Sequence, residues 1–412
     1  MAIDTSSPVE VDTYKDVLEV WRCPHMSTRT AGPGDAEVRG GTIVRIDGPA
    51  HLTRRRALGQ LLSHGGHKYF RDTHLFPTGD AALAKALENL EADGYVHLEI
   101  RTWARRVLQQ LAAALVGFDG ATTPEGGDEL FGYVEEFISG YQGILENAFN
   151  PVAPSGPVHD RAVQGRDAIL EKFFAPSVAR RVDLLTKVEA GELAAEELPR
   201  DLITLALQQA DPAWADVELA KREAVFMLAA GVHTTSNALV WTLRELFDYF
   251  EKHPEQKSRI DDDEFLLGAA SEALRLHPVV AGFVRRAEED VELPSGDTVH
   301  EDSLVVIRSG PPGVDVDAYG EDAADFNPDR QVAKNVSRHG FAFGAGPHMC
   351  FGTPIVMGLN GIDGSLVYLL KLLVRAGVEL DPASPPFDVS ASRGSFDPFA
   401  KTTPLLVMLP AK

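Results

Sequence analysis

The sequence predicts a mainly α-helical protein with small β-sheets. Three observations predict it. Apolar residues recur at helical spacing through several long stretches, most extensively over 220–250. Strand-like runs are short and come late, near 291–293, 304–307 and 405–409. No internal repeat, and no linker long enough to separate a pair of domains, interrupts the chain. One domain is therefore expected over 13–412, preceded by a flexible tail over 1–12.

In order along the chain, Tyr14, Val17, Leu18 and Trp21 place a short helix over 11–21, and a Gly/Pro-rich loop follows over 23–48. Asp47-Gly48-Pro49 leads into a basic amphipathic helix over 52–62. Long helical periodicity covers 81–116, with Gly94 as its break, and a further helix covers 128–145. A Pro-rich loop spans 150–157, and the helix over 160–193 ends near Gly191. The long apolar helix over 220–250 holds a polar cluster in its middle. A helix over 263–276 stops at His277-Pro278, because the residue before proline is pushed out of the helical region. A last helix is expected over 359–376.

Composition narrows the function. The chain is 44% hydrophobic and 24% charged, which suits a large core. Its net charge of −22 argues against nucleic acid and anionic membrane surfaces as partners. Two cysteines, Cys23 and Cys350, do not make a disulfide framework, so a reducing cytoplasmic compartment is expected. The start, Met1-Ala2-Ile3-Asp4, has neither the basic nor the apolar region of a signal peptide, and no membrane span is expected.

The chemistry concentrates in Phe343-Gly344-Ala345-Gly346-Pro347-His348-Met349-Cys350-Phe351-Gly352. A thiolate that binds a metal along one open axis needs a loop of this kind: backbone close to the sulfur, N–H groups aimed at it, water kept away. A buried cysteine in a turn is the plainer alternative. The stretch resembles the haem-ligand signature of cytochromes P450, matching at Phe343, Gly346, Cys350 and Gly352, with His348 two residues before the sulfur. The resemblance implies haem b with Cys350 as its axial ligand, in a loop to which Phe343, Gly344 and Gly352 also contribute.

Glu272-Ala273-Leu274-Arg275 places an acid and a base on one helix face. Alone this is a frequent surface ion pair. With the Cys loop downstream it resembles the family's E-x-x-R pair, and Phe326-Asn327-Pro328-Asp329-Arg330 resembles the meander that supplies a third partner, Arg330. The resemblance makes Glu272, Arg275 and Arg330 structural. In Ala230-Gly231-Val232-His233-Thr234-Thr235, a Gly and three polar side chains interrupt an apolar helix at a cost in helix stability. A packing notch would explain them. The segment is also similar to the family's oxygen-binding groove, with Thr234 as the alcohol and His233 where an acid is usual. Imidazole titrates near neutral pH, whereas a carboxylate does not. His51 and Arg55, four apart in a basic helix, resemble the family's haem-propionate pair; Arg285 and His348 fit the same role, since a guanidinium fork matches a carboxylate.

The resemblance covers residues 14 to the end, with two departures. Only about fifty residues precede His51, so the family's N-terminal sheet is expected to be reduced. Met357 stands where a basic residue is usual, which weakens docking by an ordinary ferredoxin. The implied protein is a soluble monooxygenase. It activates O2 at a Cys-ligated haem, draws electrons from an external ferredoxin/reductase-type donor and oxidises a small, largely apolar substrate. Phe137, Tyr141, Leu228, Ala229, Val280, Phe283 and Phe396 are its expected pocket walls. A peroxide-dependent or non-oxygenative haem-thiolate enzyme, and a non-enzymatic haem-binding module, are the alternatives.

Overall fold

The computed structural model describes residues 8–30, 37–146, 156–280, 282–394 and 403–411. Among these described residues helices dominate, and four small sheets accompany them. A four-stranded sheet has the order β1 (Val9–Val11), β7 (Leu304–Arg308), β4 (Gly282–Ala287), β2 (Met26–Ser27). Strands β1 and β7 run parallel, pairing Val9 with Val305 and Val11 with Ile307, and the other neighbours are antiparallel. The expected tail therefore ends earlier than residue 12: Val9 and Val11 flank a polar residue, the two-residue period of a strand. Among the described residues of the N-terminal region, a three-residue and a two-residue strand join the edges of this sheet.

Against this sheet packs the helix Tyr14–Arg22. Thr13 caps it by accepting from the Asp16 N–H, and it stops where Cys23 turns extended before Pro24. Val17, Val20 and Trp21 meet Val11, Met26, Val305, Ile307 and Phe341 in one buried cluster. That packing holds Trp21 at the end of the helix, where the functional loop will need it.

The helix Asp263–Leu276 has the expected bounds, with Asp262 accepting from the Phe265 N–H at its start. Other expectations need correction. The periodicity over 81–116 divides into a helix Phe76–Leu87, strand β3 (Tyr95–Glu99) and a helix Ile100–Val116. Strand β3 pairs antiparallel with β11 (Leu406–Pro410), which also carries β10 (Glu379–Leu380). The helix expected from 359 starts at Ser365. Before it, β8 (Gly358–Leu359) and β9 (Ile362–Asp363) form a hairpin, with Asn360 and Gly361 both at positive φ as a two-residue turn requires. The segment Pro157–Glu189 is helical and contains one π-helical turn, Leu170–Phe174.

The described residues fall into two compact units. One comprises those of Met1–Ser27, Phe76–Arg105 and Thr234–Lys412; the other comprises those of Thr28–Leu75 and Arg106–His233. The long helix Val217–Lys252 belongs to both. It is apolar and long enough to cross a membrane by composition, contrary to expectation, but 67% of its apolar window is buried within the protein.

Candidate active site

The Cys loop is shaped by glycine. Gly344 and Gly346 both have φ of +64°, and a Cβ on Gly346 would lie 2.3 Å from the Trp21 carbonyl oxygen. One on Gly344 would lie 3.1 Å from the Trp21 ring. The chain passes so close to the first helix that no side chain fits. A 3-10 turn over Gly346–His348 follows, and the Cys350 N–H donates to the Phe343 carbonyl at 2.7 Å, closing the loop. Cys350 is exposed and in no disulfide. A Cβ added at Gly352 would lie 3.8 Å from Sγ, in ordinary van der Waals contact with it.

Trp21 also organises the neighbouring strand. Phe283 and Arg285, two apart on β4, share a face. The Phe283 ring meets Trp21 edge-on with centroids 4.9 Å apart, and the Arg285 guanidinium carbon lies 4.7 Å from the Trp21 centroid. Arg285 is buried, held over the indole by cation–π attraction, and its Nη1 donates to the Val284 carbonyl. Phe283, expected as a pocket wall, is half-buried and packs edge-on against Trp21.

Glu272 and Arg275 form a bidentate pair at 2.6 and 2.7 Å, and Arg330 Nε donates to the same carboxylate at 3.0 Å. All three are buried. Arg275 donates further to the carbonyls of Gly313, Ala323 and Asp325, and Arg330 to those of Tyr319, Asp322 and Asp325. Two guanidiniums thus fasten one helix to the meander. A Cβ on Gly268 would lie 1.9 Å from the Pro328 carbonyl oxygen, so the same helix touches the meander at backbone distance.

On the long helix, Phe226, Met227, Ala230, Gly231, His233 and Thr234 are exposed or half-buried, whereas Val225, Leu228, Val232 and Thr235 are buried. The first set forms one stripe, with Thr234 near its centre. Leu228 and Ala229, expected as pocket walls, lie roughly 120° and 140° round the helix from Thr234 and are buried. Counting back four, seven and eight residues from Thr234 finds Ala230, Met227 and Phe226 instead. Val280 is 36% exposed. The Tyr141 side chain and Phe396 lie outside the described residues.

In the second unit His51 is buried and Arg55 half-buried. Phe137 is buried where its helix meets Gly165, at which a Cβ would lie 2.8 Å from the Phe137 backbone nitrogen. The deepest cation there is one that the sequence does not single out: Arg54 pairs with Asp211 and Glu223 and lies over the Trp214 ring at 5.1 Å. Burial pushes the Glu223 carboxyl up from its usual range, against the pull of Arg54. Three adjacent arginines give no sign of which one turns inward.

An exposed cysteine in a loop whose glycines lie against the first helix suits a cofactor that accepts one thiolate. A buried guanidinium on the adjoining strand suits acidic groups at such a cofactor's edge.

The family model described as Cytochrome P450 matches residues 160–357. Among curated proteins, the chain is 31% identical to the alkane hydroxylase MAH1 of Arabidopsis thaliana over 156 residues, covering 33% of this chain and 31% of that protein. It is 26% identical to cytochrome P450 734A5 of Oryza sativa subsp. japonica, covering 91% of this chain and 72% of that one. The matches to the first four curated relatives span 31 to 44% of those proteins' lengths. Among solved structures, substrate-free CYP109E1 from Bacillus megaterium superposes with a TM-score of 0.71 at 19% identity, covering 98% of this chain and 94% of that one. The fold is the cytochrome P450 fold, and residues 160–357 match the family model of that name.

Proposed function

We propose that this chain, a cytochrome P450 by fold, is a haem-thiolate monooxygenase that oxidises a small, largely apolar organic substrate. The Cys350 loop carries this reading: it presents an exposed cysteine on backbone that lies against the first helix. Cys350 would be the axial ligand of haem b, and Arg285, His348, His51 and Arg55 would meet its carboxylates, as the sequence resemblance implies. When bound, the haem supplies the redox chemistry that activates O2 and transfers one oxygen atom. The protein's role is to hold the substrate, exclude water and deliver protons. The Thr234 hydroxyl would donate and accept the proton beside the reacting oxygen, and His233, next along the stripe, would feed it. Phe226, Met227 and Ala230 extend the stripe as an apolar wall. Electrons would come from an external ferredoxin/reductase-type donor, in the cytoplasm.

One observation favours the peroxide-dependent alternative. Beyond the Cys loop the helix Thr353–Met357 has five residues and gives way to the β8–β9 hairpin, with Met357 where a basic residue is usual. Turnover driven by hydrogen peroxide, set against turnover with a ferredoxin/reductase pair, separates the two. The haem assignment itself is tested by Cys350→Ser, which is expected to abolish the thiolate-type absorption of the reduced carbon-monoxide complex, while Cys23→Ser keeps it. A Cys350→Ser protein with the wild-type spectrum would overturn the assignment.

A further inference from the structure

His277 ends the helix Asp263–Leu276, and its ring lies flat on Trp241 of the long helix, with centroids 4.0 Å apart and planes 1° apart. Its Nε2 is 2.7 Å from Glu245 Oε1. Glu245 is fully buried and also accepts from Arg393, at Nε and Nη2. Burial holds the His277 ring below its usual pKa, with Arg393 and Arg244 adding to the effect against the pull of Glu245. The ring is therefore neutral, and Nε2–H is the donor that an ionised Glu245 accepts. Around the pair, the Gly394 N–H donates to the Leu276 carbonyl at 2.9 Å, and Val389 and Phe387 pack on Trp241. The Arg244 guanidinium carbon sits 3.9 Å from the Phe387 centroid.

Three segments meet here: the long helix, the end of the Glu272 helix, and 387–394. Apolar side chains of similar volume would join them at least as firmly, because burying charged and polar groups is costly. What a flat stack and a directed hydrogen bond add is a single permitted geometry. That geometry bears on the proposed pocket. Trp241 lies seven residues beyond Thr234, so the two share a helix face about 20° apart. His277 is followed directly by Pro278, whose fixed φ leads into buried Val279 and exposed Val280.

We propose that His277 is a positioning residue: it sets the gap between the Thr234 face of the long helix and the Val279–Val280 wall, and so the length of apolar substrate the protein accepts. This rests on the haem-monooxygenase reading above.

The test is titration of the holoenzyme with a series of n-alkylimidazoles, followed by the absorption band that imidazole gives on ligating haem iron. In the wild type, Kd is expected to fall about fourfold per added methylene until the tail meets the wall, then level off. His277→Phe keeps a ring on Trp241 but loses the bond to Glu245, and is expected to move the levelling point by at least two carbons. An unchanged levelling point in a haem-loaded His277→Phe protein, whatever its loss of thermal stability, would overturn the proposal, since a merely structural role predicts that outcome. Should His277→Phe load no haem, Trp241→Phe keeps the hydrogen bond while thinning the stack; a shifted levelling point supports the proposal and an unshifted one sinks it. A wild-type protein with no imidazole band at all would instead overturn the haem reading itself.

Discussion

Replacing Glu272 should be among the most damaging single changes in this chain. Its carboxylate accepts from Arg275 Nε at 2.7 Å and Nη2 at 2.6 Å, from Arg330 Nε at 3.0 Å and from the Asn327 N–H at 3.2 Å. It is the anion shared by two buried guanidiniums, so its loss leaves two cations facing one another away from water. Breaking a buried ion pair costs about 3–5 kcal/mol, against a typical total stability of about 5–15 kcal/mol. Glu272→Gln offers no escape: it keeps the shape, but its amide N–H groups point donors at donors. Both Glu272→Ala and Glu272→Gln should lower the urea midpoint of the main unfolding transition and reduce haem loading. The same optical transition must be compared throughout, because a chain with two compact units need not unfold in one step. Arg330→Ala should cost much less in the Glu272→Ala background than in the wild type, with a coupling of about 1–3 kcal/mol. A Glu272→Ala protein within about 1 kcal/mol of wild type, fully loaded with haem, would refute the reasoning.

Two further outcomes are expected. Thr234→Ala should let reducing equivalents escape to peroxide, lowering product formed per NAD(P)H consumed, whereas His233→Asp should alter how that ratio varies with pH; identical ratios in all three proteins would end the proton-delivery role. Stability should fall on both sides of neutrality. His97 is held up to about 9 by Asp381 and Asp93, so the protonated ring stabilises below the ordinary imidazole pKa near 6.5, and that contribution fades as pH rises from there through about 9. His339 is pushed down to about 4 by burial, so the unfolded chain binds the extra proton and stability drops as pH falls from about 6.5 towards 4. Melting temperatures of His97→Gln and His339→Phe across pH should flatten the alkaline and acid limbs respectively; unchanged limbs would rule out these groups as the cause.

Much of the scaffold was legible where local signals and tertiary demands agree. The Glu272 helix has an Asp cap before it, apolar residues spaced through it and Pro278 after it, and its ends fall where those signals put them. The β8–β9 hairpin was not legible, because Leu359, Ile362, Leu366 and Leu370 are spaced as a helix would space them. Only Asn360-Gly361 betrays the turn, and a dipeptide is easily outvoted by a long period. Strand β4 hid for the opposite reason: Arg285 and Arg286 break the apolar pattern of a buried strand, and the Trp21 ring over which Arg285 lies is distant in sequence. At the proposed pocket the sequence does not disclose which face of the long helix is buried. Leu228 and Ala229 lie on the buried side of the helix, whereas Ala230, Met227 and Phe226 lie on the Thr234 side.

Trp21 also shows where a motif stops being readable. Phe343, Gly346, Cys350 and Gly352 mark this loop through their resemblance to the cytochrome P450 haem-ligand signature. Yet Gly346 is required for two separate reasons, and the motif discloses only one. Its φ of +64° disfavours any side chain, which a turn-forming glycine always suggests. The Trp21 carbonyl oxygen, 2.3 Å from where a Cβ would stand, excludes one even if that strain were accepted. The second reason lies in a helix more than three hundred residues earlier, held in place by a core of Val11, Val17, Met26 and Ile307. The loop's geometry is thus set jointly by its own glycines and by the first helix. A change that loosens that helix should disturb the sulfur's surroundings without altering any residue of the motif.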